Sequence, residues 1–115
     1  MPEAEALTGV GLAKEDKQGS VSVIERVKTS FSYGQTTVGT TAVQLTTTTT
    51  SLSFGVLVKA DQNNTGNVYV GDSSVSTTNG FKLSPGQAIE IEIDDASKIY
   101  VIADAADQKV YWFGV

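Results

Sequence analysis

The sequence predicts an all-β chain, an antiparallel β-sandwich with jelly-roll or immunoglobulin-like connections, and three observations make that prediction. Ile89, Ile91 and Ile93 alternate strictly with Glu90, Glu92 and Asp94. A period of two, with one greasy and one charged face, describes a half-buried antiparallel strand. About eight short strand-like runs recur at intervals of roughly ten residues, the spacing of a sandwich or small barrel. No segment holds a helical period of useful length, which excludes an α/β fold. The two connection schemes are not separable at this level.

Taken in order, the chain changes character near Gly19. Residues Met1 to Gly19 are small, charged and weakly periodic, and Gly9 and Gly11 interrupt the helical turn that Ala4, Ala6 and Leu7 would begin. This stretch reads as an amino-terminal arm, and residues 20–115 as the β-sandwich domain. Val21, Val23 and Val27 set out a first strand, interrupted around Ile24 and Glu25, and Phe31 and Tyr33 alternate before Gly34. Thr36 to Leu45 is β-branched and reads as one long strand or two broken at Gly39. The threonine tract Thr46 to Thr50 is expected to be a polar connection between sheets.

Phe54 to Ala60 is the greasiest run and is expected to be a central strand with Val56, Val58 and Ala60 on one face. Asp61 to Asn67 is a turn by its Asn and Gly chemistry, with Val68 to Gly71 expected as its hairpin partner. The loop Asp72 to Gly80 and the Pro85-Gly86 turn lead into the isoleucine strand, whose Ile face is expected to be core. Lys98 to Ala103 and Lys109 to Val115 are expected to close as a hairpin across Asp104 to Gln108.

Composition narrows the function. The chain has 115 residues, enough for one domain with a real core. It has no Cys and no His, which removes disulfides, thiolate metal sites and the commonest general base together. A net charge of -5 argues against nucleic acid as a partner, because that affinity rests on Lys and Arg. No apolar run is long enough to span a bilayer, and the opening MPEAEALTG has no basic segment ahead of a greasy core. Neither a membrane anchor nor a signal peptide is expected.

Candidate sites are few. Asp61, Asn63, Thr65, Gly66 and Asp72 imitate the spacing of a calcium loop, but the residues from Val68 to Val70 read as strand where such a loop needs helix, so a plain turn is expected. Glu90, Glu92, Asp94 and Asp95 have the spacing of paired carboxylates, about 7 Å for positions two apart on a strand, with no feature to separate their pKa values. A solvated outer face is expected there. No catalytic residue, cofactor or metal site is assigned. If Val68, Val70, Ile99 and Val101 face inward, Tyr69, Tyr100 and Ile102 face outward and form an aromatic-aliphatic patch suited to a protein partner. Leu7, Val10 and Leu12 would anchor the arm against that partner.

The order Val56-Leu57-Val58-Lys59-Ala60, Asn67-Val68-Tyr69-Val70-Gly71, Val75, Thr77-Thr78, Gly80, Leu83, Pro85-Gly86 and Ile99-Tyr100-Val101 resembles a β-domain of tailed-bacteriophage structural proteins, the capsid decoration and head-fibre type. The resemblance covers residues 55–115. It implies a non-enzymatic virion subunit on the capsid surface that binds the major capsid protein and reinforces the head, often as a trimer. The alternative is a carbohydrate-binding or adhesive fibre module with Tyr69, Tyr100 or Trp112 as stacking platforms.

Removing Met1 to Gly19 takes away little apolar surface, so the shortened protein is expected to keep a nearly unchanged unfolding midpoint while occupying fewer sites on undecorated capsids. Calorimetry and co-sedimentation measure the two effects separately. A shortened chain that fails to fold would place the arm in the core, and equal occupancy would remove its docking role.

Overall fold

A computed structural model describes residues 28–115 of the chain. In that range the sequence pattern resolves into eight strands. They are β1 (Ser32–Val38), β2 (Val43–Gln44), β3 (Val56–Ala60), β4 (Val68–Gly71), β5 (Phe81–Leu83), β6 (Ala88–Ile91), β7 (Tyr100–Ala103) and β8 (Gln108–Gly114). One short 3-10 turn, Ala96–Lys98, precedes β7. The strands form two four-stranded antiparallel sheets with orders β1-β8-β3-β6 and β2-β7-β4-β5.

The chain passes from one sheet to the other at every connection except β4 to β5. With these two strand orders, that alternation is the jelly-roll arrangement, so the topology separates what the sequence leaves open. Two expected hairpins are corrected by it. β4 does not pair with β3; it lies in the opposite sheet between β5 and β7. β7 and β8 likewise belong to different sheets. The turn residues are where the sequence places them, but each turn rounds a corner of the sandwich. Turn chemistry bends the chain without saying which sheet receives the next strand.

Three further differences are local. β1 runs unbroken through Gly34, and the break at Gly39 then separates β1 from β2. Phe81–Leu83, between the expected Asp72 to Gly80 loop and the Pro85-Gly86 turn, forms a strand for which the sequence reading makes no assignment; three residues are too few to show an alternation. The isoleucine strand faces the core as expected, but Ile89, Ile91 and Ile93 are only half-buried. β6 is the edge of its sheet among the described residues, so its inward side chains have neighbours on one flank alone.

The core lies between the sheets and is dominated by β-branched side chains: Val38, Val58, Val68, Val101 and Val110 are fully buried, with Leu45 and Leu83 beside them. The expected inward face of β3 is confirmed by Val56, Val58 and Ala60, all buried. Trp112 joins them from β8. Its indole lies over Gly34, its partner across the β1–β8 ladder, where a Cβ would stand 2.9 Å from Nε1. A side chain at position 34 would therefore displace the ring. Burying a tryptophan removes about 150–250 Å² from water, which stabilises the fold by about 4–6 kcal/mol.

The corners are held by side chains that imitate strand partners. Asn64 exchanges two 2.9 Å hydrogen bonds with the backbone of Lys109, donating to its carbonyl and accepting from its N–H. Gln108, buried, accepts from Gly66 N–H and donates to Thr65 Oγ1 and Ala106 O. The β3–β4 and β7–β8 corners are thereby fastened to each other. The threonine tract connects β2 in one sheet to β3 in the other, as expected for a polar crossing.

Leu83→Ala is expected to cost about 2–5 kcal/mol, Ile91→Ala about 1–2 kcal/mol because its site is already half open, and Glu92→Ala less than about 0.5 kcal/mol. Urea unfolding of the three variants measures the order. Equal midpoints for Ile91→Ala and Leu83→Ala would place β6 inside the sandwich instead of at its edge.

Candidate functional site

The inward alternation of β8 determines what its other side presents. Val110, Trp112 and Gly114 point to the core, so Tyr111 and Phe113 point out. Because β8 pairs with β1 and β3 in register, two rows of outward side chains cross the first sheet. One is Tyr33, Phe113, Leu57 and Glu90; the other is Gln35, Tyr111, Lys59 and Ala88. Direct neighbours in such rows have Cβ atoms about 4.5–5.5 Å apart, close enough to act as one surface.

The first row is the aromatic one. Tyr33 is 73% exposed, Phe31 59% and Phe113 44%. The Phe31 ring lies 5.6 Å from that of Tyr33 and meets Phe113 edge-on at 6.1 Å. Phe54, also exposed, stands beyond the end of β8. Between Phe54, Leu57 and Phe113 the surface dips into a shallow depression of about 250 Å³, with Glu90 and Glu92 on its wall. A cluster of large exposed rings on one sheet face is the kind of surface that marks an interface.

The second row is tied down. Tyr111 donates its hydroxyl to Asp61 Oδ2 at 3.0 Å, and Asp61 Oδ1 accepts from Asn63 N–H. The Asn63 N–H is the main reason that the Asp61 carboxyl sits below its ordinary range; the Tyr111 hydroxyl and the charges of Lys109 and Lys59 add to it. The same bond to Asp61 raises the Tyr111 phenol.

The sequence-predicted patch lies on the opposite side of the molecule. Tyr69 pairs with Ile102, and Tyr100 lies two residues back along the same strand, so the second sheet does bring the three together on its outer face. All three are half-buried, with less surface on offer than the rings of the first sheet. Trp112, considered as a stacking platform, is corrected to core: it is only 8% exposed. Leu7, Val10 and Leu12, with the arm they would anchor and the first strand from Val21 to Val27, lie outside the described residues. Phe31, Tyr33, Phe54 and Phe113, with Phe81 apart from them on β5, are exposed residues that sequence reasoning passed over. The usable signal was Val110 and Trp112: once that pair is assigned inward, Phe113 must face out.

The calcium-like spacing of the Asp61 loop resolves into turn hydrogen bonds. Thr65 Oγ1 accepts from Gln108, and Asp72 Oδ1 accepts from Ser74 N–H in the next corner. Among the described residues, the four carboxylates in and after β6 divide into engaged and free ones. Asp94 pairs with Lys98 at 2.9 Å. Asp95 Oδ1 accepts from Thr50 N–H, Ser97 N–H and Ser97 Oγ, which caps the 3-10 turn and holds the end of the threonine tract. Glu90 and Glu92 are exposed. Among the described residues no group of three or more acidic, His or Cys side chains is arranged to hold a metal ion.

No protein-family model, no curated protein and no solved structure matches the chain.

The Thr50 N–H, followed by the Ser97 N–H and hydroxyl, holds the Asp95 carboxyl below its ordinary value. A carboxyl depressed on folding contributes stability that is present above the unfolded pKa and lost as pH falls through the folded one. Below about pH 4 the protein is therefore expected to lose stability, and Asp95→Asn is expected to flatten that acid limb. Urea midpoints between pH 7 and pH 2 for the two proteins check it. Parallel curves would show that Asp95 has the same pKa folded and unfolded.

Proposed function

We propose that this chain is a non-enzymatic virion structural protein, a capsid decoration subunit that binds the major capsid protein through the outer face of the first sheet. The observation that carries the reading is the exposed Phe31–Tyr33–Phe113 cluster, laid across neighbouring strands of that sheet. Large aromatics at the centre of an interface supply most of its binding energy, and a rim of polar residues keeps water away from them. Gln35, Lys59 and Glu90 stand around the cluster in the positions of such a rim.

Several other features support the reading. The sequence of residues 55–115 resembles decoration and head-fibre domains. The absence of His and Cys from the whole chain leaves little for acid–base or thiol chemistry. Jelly rolls occur in viral capsid and lectin domains, an analogy of architecture alone that leaves the site to decide between them. Glycan binding calls for exposed rings beside a concave polar pocket. The rings of the first sheet border a depression walled chiefly by apolar groups, which favours a protein surface. Association of the subunit as a trimer on the capsid belongs to the same proposal.

The double variant Tyr33→Ala/Phe113→Ala removes the centre of the cluster from solvent-facing positions, so it is expected to fold. Its affinity for undecorated capsids is expected to fall by about 30-fold, the loss of a hot spot worth about 2 kcal/mol. Co-sedimentation measures the occupancy, with circular dichroism as the check on folding. A folded variant with undiminished occupancy would overturn this docking face, and a hit on a glycan array lost in the same variant would favour the adhesive module.

A further inference from the structure

Resting on that docking face, we infer that the depression beside the aromatic cluster receives a basic side chain of the partner, an arginine in preference to a lysine. The depression, about 250 Å³, has Phe54, Leu57 and Phe113 as its apolar walls and Glu90 and Glu92 at its rim. Phe54 and Phe113 are 47% and 44% exposed, so ring surface is available to a cation. Glu90 lies in the same cross-strand row as Leu57 and Phe113, which places its carboxylate at the end of the apolar floor.

The charges decide the occupant. Among the described residues, the ion pair beside β6 is Lys98 with Asp94, and neither Glu90 nor Glu92 has a Lys or Arg partner. Lys59, two residues along β3 from Leu57, adds its charge to Asp61. A purely apolar partner laid over this patch would strip water from two carboxylates and give nothing back, a costly arrangement. An acidic partner would be repelled. A guanidinium answers both requirements: its flat face stacks on a ring, and its N–H fork matches a carboxylate. The aliphatic stem of the same side chain covers Leu57.

Two titrations followed by heteronuclear NMR test this, with N-acetyl-arginine amide and N-acetyl-norleucine amide as probes. The arginine probe is expected to give saturable shifts at Phe54, Leu57, Glu90 and Phe113 that weaken as salt is added. The norleucine probe is expected to bind at least about threefold more weakly. Glu90→Gln/Glu92→Gln, both at exposed positions, is expected to bring the arginine probe down to the norleucine level. Equal responses to the two probes in the unaltered protein would overturn the cationic occupant, as would arginine shifts that survive the double substitution. Failure here is distinguishable from failure of the docking face. If the Tyr33→Ala/Phe113→Ala variant loses capsid occupancy while the arginine probe does not bind, the face stands and the cation site falls. If the probe binds and capsid occupancy is unchanged in that variant, the cation site stands without the capsid reading.

Discussion

The register of β8 between β1 and β3 is the constraint on which the rest of the molecule depends. One strand supplies Val110 and Trp112 to the core and Tyr111 and Phe113 to the surface, and its ladders bring Tyr33 and Leu57 beside Phe113. A slip of one residue would put the tryptophan in water and the phenylalanine in the core. Gly34 guards against that slip, because the indole fits only where its cross-strand partner has no side chain. The core and the candidate docking face are two sides of the same alternation.

The ends of the sandwich depend on a different device. At one end the side chains of the turn residues are engaged across the fold. Asn64 reaches the backbone of Lys109, Gln108 reaches Gly66 and Thr65, and Asp104 accepts from both the backbone and the side chain of Asn67. At the opposite end the Val115 main-chain oxygen accepts from the N–H groups of Ser53, Phe54 and Gly55. Gly55 makes that convergence with φ of +125°, a backbone conformation that a side chain would strain. Polar residues among those described mainly close corners: the Asp61 loop, Asp94 and Asp95 are all engaged in hydrogen bonds of this kind. On the outer face of the first sheet, the rings of Phe31, Tyr33 and Phe113 and the carboxylates of Glu90 and Glu92 close no corner.

The two outer faces differ in how much they offer. Tyr69, Tyr100 and Ile102 lie on the second sheet among Lys82, Gln44 and one another, and most of each is already covered. On the first sheet the rings stand in water, and Phe31, just ahead of β1, extends the cluster beyond the ladder. A hydrophobic surface kept that open costs solubility unless a partner covers it.

By itself, the sequence determined the fold class, the turn positions, and which residues of β3, β4 and β7 face inward, because those follow from period-two alternation and from local turn chemistry. Val56, Val58 and Ala60, and likewise Val68, Val70 and Val101, could be assigned from neighbouring residues alone. Tertiary structure decided three things. It decided the sheet to which each strand belongs, so that β4 and β7 leave the partners their turns suggest. It decided that the isoleucine row of β6 lies at an edge among the described residues and is only half-buried, since edge and centre have the same alternation. It decided which aromatics share a surface, because the Phe31–Tyr33 pair, Phe54 and Phe113 come from three separate stretches of the chain and are brought together by the β1–β8–β3 pairing and the bonds to Val115. Pairing between distant strands depends on packing summed over the whole core, and no local pattern records that sum.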